Sequence, residues 1–312
     1  MSELNCSAPK VTVFTPAYNR AYILPELYHS LRNQTCFDFE WIIVDDGSAD
    51  GTEALVGAWL QQQNAFAIRY YKQKNGGKHR AINCGAEKAA GELFFIVDSD
   101  DQLTADAVES LLRVKNTLPD HEKFAGVAGN RGYHRGGVIG TTFDGDMLDC
   151  SAIERRKYGI DGDKAEAFFT SVLKKYPFPE YEGENFVTEA VVWDKMALDG
   201  YKLRYFNKII YLCDYLEDGL TNQGLDLYYR NPQGYGHYLR QCRKADKFGD
   251  ALQRYFDVEC YLHWRRQMSL AEIAALIGAE PIPLLLATGT YQLRLTASRC
   301  KRQLLGYIKG KM

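Results

Sequence analysis

The chain has 312 residues, of which 46% are hydrophobic and 25% charged, and its formal net charge is −2. That length can bury a sizeable core. The near-neutral charge gives no overall attraction to nucleic acid or to an anionic membrane. We therefore expect an ordinary globular protein without a nucleic-acid partner.

Short apolar strands alternate with helices through the first hundred residues. This alternation is typical of a parallel, doubly wound sheet with helices on both faces. The sequence predicts strands at residues 10–15, 41–44, 67–72 and 93–97, and helices at residues 22–34, 52–62 and 78–90.

The rest of the chain is less regular. We divide it into a catalytic domain at residues 1–213 and a helical region at residues 214–312, in which residues 269–272 match a capping box. The predicted elements are helices at 104–117, 164–175 and 189–198, strands at 124–128 and 205–212, and a loop at 129–147.

The chain carries no pattern of export or membrane insertion. Its start lacks the basic and apolar parts of a signal peptide, and no apolar run approaches the roughly 20 residues that span a bilayer. The eight cysteines are scattered without a Cys-x-x-Cys pair, which favours reduced thiols in a reducing compartment. We expect a cytoplasmic location.

The most informative motif is at residues 93–101. Five apolar residues predict a buried strand, and Asp98, Asp100 and Asp101 follow at its carboxyl end, where open α/β sheets bind ligands. Two carboxylates about 4 Å apart repel by roughly 4 kcal/mol at an effective dielectric constant near 20. A cation such as Mg²⁺ or Mn²⁺ that carries a diphosphate would offset this repulsion, although acids also favour helix N-termini without a metal.

Two neighbouring strand ends carry further polar groups. Asp45 and Asp46 follow the second strand, where a carboxylate can accept a hydrogen bond from a base or a ribose. The same residues also favour an Asx-turn, and the pattern alone does not separate the two. Residues 15–20, at the exit of the first strand, would complete a cradle for the base, with Tyr18 near the nucleoside.

Residues 75–80 form a basic, Gly-rich loop that enters a helix. Backbone N–H groups together with Lys78 and Arg80 suit an anionic nucleotide, and a plain helix-start turn is the alternative. The spacing is not that of a Walker loop. The first strand also lacks the Gly-x-Gly-x-x-Gly motif of nicotinamide-binding proteins.

Four stretches, residues 15–20, 44–48, 83–92 and 97–101, occur in an order and at a spacing that resemble an inverting family 2 glycosyltransferase. The resemblance is strongest over residues 8–115. It implies the α/β GT-A fold, with a Rossmann-like, mostly parallel central sheet flanked by helices. It also implies a nucleotide-sugar donor, usually a UDP-sugar, held with a divalent cation (Mn²⁺ or Mg²⁺).

The resemblance implies roles for individual residues. Asp46 would contact the base, Asp98 would contact the ribose or the sugar, and Asp100 with Asp101 would hold the metal. The other residues predicted to bind the nucleotide-sugar are Thr15, Ala17, Tyr18, Arg20, Asp45, Gly77, Lys78, Arg80 and Ser99.

An inverting enzyme also needs a base that faces the acceptor. The local match to the acidic motif of the family is residues 188–190, which makes Glu189 the predicted catalytic base, although Ala190 stands where a second acid is expected. Glu182 and Glu184 lie just upstream and are alternatives. A helix-start acid without a catalytic role is the structural alternative.

The end of the chain, residues 284–312, is basic and contains leucines, and no acidic residue follows Glu280. It forms either a terminal helix on the body of the protein or a peripheral contact with the inner membrane face. Membrane contact would suit a glycan acceptor on a polyprenyl diphosphate, as in surface polysaccharide assembly. A nucleotidyltransferase and a catalytically silent carbohydrate-binding protein are the alternative functions.

Overall fold

The computed structural model describes residues 8–120, 122–214 and 224–290. These residues form two compact units, one before residue 215 and one that begins at Gly224. The basic segment at residues 291–312 lies outside the described residues, and so do Cys6 and Cys300.

One nine-stranded mixed sheet forms the centre of the first unit, in the order β3-β2-β1-β4-β8-β6-β9-β5, with β7 paired to β9. Strands β1 to β4 are parallel, whereas β8 runs antiparallel to both β4 and β6. The strands are β1 (Val11–Ala17), β2 (Phe39–Asp45), β3 (Ala67–Lys72), β4 (Leu93–Ile96), β5 (Gln102–Leu103), β6 (Phe124–Gly132), β7 (Met147–Cys150), β8 (Lys164–Phe169) and β9 (Lys202–Leu212).

Helices flank this sheet, as the alternation of strands and helices predicted. The α/β fold class is therefore confirmed. The helices of the first unit are α1 (Leu24–Arg32), α2 (Thr52–Leu60), α3 (Lys78–Lys88), α4 (Ala107–Lys115), α5 (Thr170–Leu173) and α6 (Ala190–Leu198), and a 3₁₀ turn covers Arg155–Tyr158.

The inner parallel strands are held by apolar side chains on both faces. All residues of β2 and β4 are buried, which explains why residues 41–44 and 93–96 are continuously apolar rather than alternating. On one face, Tyr28 of α1 stacks on Trp59 of α2 with ring centroids 4.3 Å apart, and Trp41 of β2 lies 5.7 Å from Trp59. These rings fix the two helices against the sheet.

Two predictions about residues 124–175 were wrong. The loop predicted at 129–147 contains the end of β6, whose glycines make room for neighbours: a Cβ at Gly129 would lie 2.7 Å from the Ile210 side chain. The helix predicted at 164–175 is β8 followed by α5. β8 lies between β4 and β6 and pairs with both. This pairing in the sheet overrides the helical pattern of the local sequence.

The second unit consists of helices around a small apolar core that includes Leu239, Trp264 and Ile273. The capping box predicted at residues 269–272 is confirmed, since the Ser269 hydroxyl accepts from the Glu272 N–H and the Glu272 carboxylate accepts from the Ser269 N–H. Its helices are α7 (Gly224–Tyr229), α8 (Pro232–Lys244), α9 (Gly249–Trp264), α10 (Leu270–Ile277) and α11 (Pro281–Thr290).

Within the described ranges, no single helix has the length and apolar character to cross a membrane. The pair α10 and α11 passes that test jointly, with a bend of 101° between the two helices.

Candidate donor and catalytic site

The carboxyl ends of β1, β2 and β4 meet at one edge of the sheet, because these three strands are parallel neighbours. β2 ends at Asp45 and β4 ends at Ile96, so the polar residues that follow each strand come close together. This edge is where α/β sheets place their ligands.

Lys78 joins two acidic side chains at this edge. Its Nζ lies 2.5 Å from Oδ1 of Asp98 and 2.9 Å from Oε1 of Glu189. Burial opposes the charge of Lys78, but the two carboxylates outweigh it and raise the pKa of the ammonium above its ordinary value. Lys78 therefore stays protonated and brings the predicted donor contact and the predicted base together.

Arg131 supplies a second positive charge. Its Nη1 lies 3.7 Å from Oδ2 of Asp98, its guanidinium carbon lies 4.2 Å from the centroid of the Tyr211 ring, and its Nε donates to the Lys164 carbonyl. Burial disfavours the charged form of Asp98, yet Lys78 and Arg131 hold the pKa of this carboxyl below its ordinary value. Asp98 is thus an ionised group between two cations.

Negative charge is crowded at the two neighbouring carboxyls. Asp101 is buried, and Oδ2 accepts a 2.6 Å hydrogen bond from the Tyr211 hydroxyl. Burial and the charge of Asp98 raise the pKa of Asp101 to about 8 and also raise the pKa of Asp100. The repulsion that the sequence predicted is therefore present, and a bound cation would relieve it.

Asp100 is the carboxylate with the best access to such a cation. It takes part in none of the ion pairs that hold Asp98 and Asp101, and Asp101 is bonded to Tyr211. In the part of the chain that the structure describes, no group of three or more His, Cys, Asp and Glu side chains could hold a metal. One or two carboxylates with phosphate oxygens is the usual Mg²⁺ arrangement. The residues therefore fit a cation that arrives with a diphosphate.

Asp46 holds the Gly-rich loop. Its carboxylate accepts hydrogen bonds from the N–H groups of Gly76 (2.9 Å) and Gly77 (2.7 Å) and from the side-chain amide of Gln73 (2.8 Å). This loop leads directly into α3, so Asp46 fixes the helix start that presents Lys78.

The structure contradicts the prediction that the Asp45 and Thr15 side chains line the pocket. Asp45 is fully buried and closes a local turn, since its carboxylate accepts from the Ser48 N–H, three residues on, at 2.7 Å and from the Tyr70 hydroxyl. Thr15 is also fully buried, and its hydroxyl accepts from the Trp41 indole. Both side chains face the interior because the strand ends are still inside the sheet.

Arg80 is also placed differently from its prediction. Its guanidinium donates to the carbonyls of Gly76, Tyr181 and Glu184 and pairs with Glu180. All three nitrogens are therefore engaged by the protein itself, which contradicts a phosphate contact through this guanidinium.

The remaining predicted residues lie around the strand exits. Ala17 is buried, and its carbonyl accepts from the Asp46 N–H, whereas Tyr18 is 50% exposed. Ser99 is buried in the turn between Asp98 and Asp100. Arg20 is close enough to Asp100 for its charge to oppose the rise in the pKa of that carboxyl.

Of the three candidate bases, the structure brings Glu189 to the cluster. It is the residue before α6, and its side chain is 34% exposed beside Lys78. Glu184 is buried and Glu182 is exposed in the segment upstream. The role of Glu189 as a base stays a prediction.

Sequence reasoning missed Arg131 and Tyr211. Arg131 fell in a segment predicted to be a loop, and Tyr211 lay near the end of a predicted strand, more than 100 residues from the acidic motif. One signal was available, since a polar residue among the small and apolar residues of β6 must have a buried partner.

The sequence matches the family described as Glycosyl transferase family 2 over residues 12–159. It is 30% identical over 191 residues to the GalNAc(5)-diNAcBac-PP-undecaprenol beta-1,3-glucosyltransferase of Campylobacter jejuni, and the alignment covers 59% of each chain. It is 29% identical over 224 residues to glycosyltransferase GlyG of Streptococcus pneumoniae, which covers 68% of this chain and 71% of GlyG. The chain thus spans less than two thirds of the Campylobacter relative.

Two solved structures share the fold. S. aureus TarS 1–349 in complex with UDP-GlcNAc has a TM-score of 0.60 at 20% identity and covers 83% of this chain and 73% of its own. Mannosyltransferase PcManGT from Pyrobaculum calidifontis, in complex with GDP-Man and Mn²⁺, has a TM-score of 0.54 at 20% identity and covers 97% and 85%. These two likenesses concern the fold alone, whereas the sequence match identifies residues 12–159 of this chain as a glycosyl transferase family 2 domain.

Proposed function

We propose that this protein transfers a sugar from a nucleotide-sugar, a UDP-sugar, to a glycan hydroxyl with inversion at the anomeric carbon. The observation that carries the proposal is the bridge from Asp98 through Lys78 to Glu189 at the carboxyl edge of the sheet. It brings a group suited to the donor and a group suited to the acceptor into contact with one ammonium.

The donor side of the proposal uses Asp98, Lys78 and Arg131. The carboxylate of Asp98 can accept hydrogen bonds from ribose or sugar hydroxyls, and the two cations attract the diphosphate. A divalent cation held by Asp100 would act as a Lewis acid and stabilise the negative charge of the leaving diphosphate.

Glu189 is the proposed base. The acceptor oxygen forms a bond to the anomeric carbon, the bond from that carbon to the diphosphate breaks, and the hydroxyl proton moves to the Glu189 carboxylate. General-base help of this kind contributes about 10²–10⁴ in rate. Glu189→Gln should therefore nearly abolish transfer and leave UDP binding intact, and turnover within about tenfold of the wild type would contradict this role.

The proposed acceptor is a glycan on a polyprenyl diphosphate, in surface polysaccharide assembly at the cytoplasmic face of a membrane. Two observations support it. The Campylobacter relative is named for a glycan on PP-undecaprenol, and the apolar side chains of Ile282, Leu285 and Leu286 on α11 are exposed. Basic residues beyond residue 290 would add about 1 kcal/mol each near anionic lipid. Deletion of residues 291–312 should then weaken binding to vesicles that contain phosphatidylglycerol, and unchanged binding would contradict the membrane contact.

The donor proposal is tested by a panel of nucleotide-sugars with Mn²⁺, first as thermal shifts and then with product analysis by NMR. We expect one UDP-sugar to stabilise the protein, release of UDP, and a product with the inverted anomeric configuration. Release of pyrophosphate would indicate a nucleotidyltransferase. Binding without any product in the presence of glycan acceptors would indicate a silent carbohydrate-binding protein.

A further inference from the structure

We infer that Arg80 and Asn83 of α3 are positioning residues for Glu189. They hold the segment at residues 178–189 against α3, so that the Glu189 carboxylate lies beside Lys78. The inference rests on the proposed function, in which Glu189 is the base. It also gives Arg80 a role other than the nucleotide contact that the family resemblance implied.

Asn83 fixes the beginning of this segment. Its Nδ2 donates to the Phe178 carbonyl at 3.0 Å and to the Glu180 carboxylate at 2.9 Å, while its Oδ1 accepts from the Phe178 N–H at 2.8 Å. The amide thus uses both its donor end and its acceptor end on the segment, about 100 residues away in sequence. An aspartate here would keep the acceptor and lose both donor bonds.

Arg80 fixes the middle of the segment. Its Nη2 donates to the Tyr181 carbonyl at 2.7 Å and its Nη1 donates to the Glu184 carbonyl at 2.6 Å, while Nε lies 3.2 Å from the Glu180 carboxylate. Residues 178–187 have no regular secondary structure, so side-chain donors such as Arg80 help to satisfy their carbonyls, and the Tyr181 carbonyl also accepts from the Glu184 N–H at 3.3 Å. A lysine cannot reproduce the three-nitrogen fork of an arginine.

Gly77 is the next point of contact. A Cβ on Gly77 would lie 1.8 Å from the Asn185 carbonyl oxygen, so the segment lies directly on the backbone at the start of α3. Four residues beyond Asn185, Glu189 reaches Lys78 at 2.9 Å. The segment therefore follows α3 toward its N-terminus, with Asn83, Arg80, Gly77 and Lys78 contacting it in turn.

This arrangement has a direct consequence for catalysis. The position of the base is set by side chains of α3, which also carries Lys78 of the donor side. A displacement of about 1 Å in a reacting group can cost about 10²-fold in rate. Loss of the Asn83 contacts should therefore lower kcat and leave the donor-binding edge in place, and loss of the Arg80 contacts should lower kcat while also removing its bond to the Gly76 carbonyl.

The test compares Arg80→Lys and Asn83→Asp with the control Arg204→Lys. Arg204 is matched because its guanidinium also bonds a carboxylate, Asp149, and a backbone carbonyl, that of Thr117. We expect kcat of Arg80→Lys and Asn83→Asp to fall about 30-fold or more. UDP affinity of Asn83→Asp should stay within about threefold of the wild type, because the Asn83 hydrogen bonds described above are with the segment, whereas Arg80 also bonds the Gly76 carbonyl of the Gly-rich loop. Arg204→Lys should keep kcat within about threefold of the wild-type value. Its loss of Tm should be similar to that of Arg80→Lys and Asn83→Asp.

A double-mutant cycle separates positioning from a general loss of stability. If Arg80 acts through Glu189, Arg80→Lys adds no further loss of kcat in a Glu189→Gln background. Hydrogen exchange of the amides at residues 180–187 should be faster in Arg80→Lys than in Arg204→Lys, and this readout does not require activity.

The outcomes distinguish the two levels of the proposal. Activity that persists in Glu189→Gln would overturn the proposed function and this inference with it. An inactive Glu189→Gln variant together with wild-type kcat in Arg80→Lys would overturn only the positioning role. A loss in Arg80→Lys that is confined to UDP affinity would likewise overturn it and restore the nucleotide contact.

Discussion

The ammonium group of Lys78 lies 2.9 Å from the carboxylate of Glu189, and the same group lies 2.5 Å from Asp98. One ammonium therefore joins two acids that are 91 residues apart in the sequence. The three side chains are partly buried, and removal of Lys78 would take this partner from Glu189 and leave Asp98 with Arg131. The site thus depends on Lys78 more than on any one hydrogen bond around it.

Lys78→Met should remove this compensation. We expect kcat to fall by about 10² or more and UDP affinity to fall as well, because Asp98 and Glu189 both lose this partner and one of the two cations that attract the diphosphate is gone. Lys78→Arg should keep the charge and retain part of both. Steady-state kinetics and calorimetry with UDP measure the two effects, and wild-type UDP affinity in Lys78→Met would contradict a donor-side role.

Asp100 and Asp101 should respond differently to a metal. Mn²⁺ should strengthen UDP binding in the wild type, and EDTA should remove this gain. Asp100→Asn should abolish the gain, because this carboxylate has the best access to a cation, whereas Asp101→Asn should retain most of it, because Oδ2 of Asp101 is bonded to Tyr211. The reverse order in calorimetry with and without Mn²⁺ would identify Asp101 as the ligand.

Gly77 should tolerate no side chain. Gly77 and Gly136 have nearly the same positive φ, +96° and +93°, but nothing lies within 4 Å of a Cβ at Gly136. Gly136→Ala should cost about 1 kcal/mol of unfolding free energy from backbone strain alone. Gly77→Ala should cost severalfold more, because its Cβ meets the Asn185 carbonyl, and should also lower kcat. Equal unfolding free energies in urea would show that the segment moves aside freely.

His79 should make the protein sensitive to acid. It is 2% exposed, and neither ring nitrogen has a hydrogen-bond partner among the described residues. Burial, followed by the charge of Arg80, lowers the pKa of His79 to about 4. Between that value and the ordinary pKa of 6.5, the unfolded chain binds a proton that the folded protein does not, so stability falls as the pH falls through this window.

The shift in the pKa of His79, from 6.5 to about 4, corresponds to about 3 kcal/mol of unfolding free energy. His79→Leu should flatten the decline between pH 6.5 and 4, and His29→Leu, at an exposed position, should leave it unchanged. Urea unfolding at several pH values measures this, and an equally steep decline in His79→Leu would exclude His79 as the cause.

Local sequence was sufficient for the parallel strands and the acidic motif. Strands β1, β2 and β4 are buried on both faces, so their short, mostly apolar sequences between helical patterns indicate strands. The carboxylates after β4 follow from the same pattern, since a polar run directly after a buried strand must lie at the sheet edge. The Ser269 capping box was equally readable, because its two hydrogen bonds join residues three positions apart.

Tertiary structure decided which partner each of those polar groups contacts. Asp45 and Asp46 are adjacent and chemically identical, yet Asp45 faces Tyr70 in the interior and Asp46 faces the Gly-rich loop. The partners of Asp98 and Asp101 are Arg131 of β6 and Tyr211 of β9. These two strands are far apart in the sequence and are paired in the sheet. Arg80 and Glu180 are 100 residues apart, and no local periodicity records their contact. The fold class and the acidic edge of the sheet can be read from the residues alone, because both depend on burial within short segments. The tertiary structure alone decided the partners of each charge, because a charge is compensated by whatever the fold brings near it.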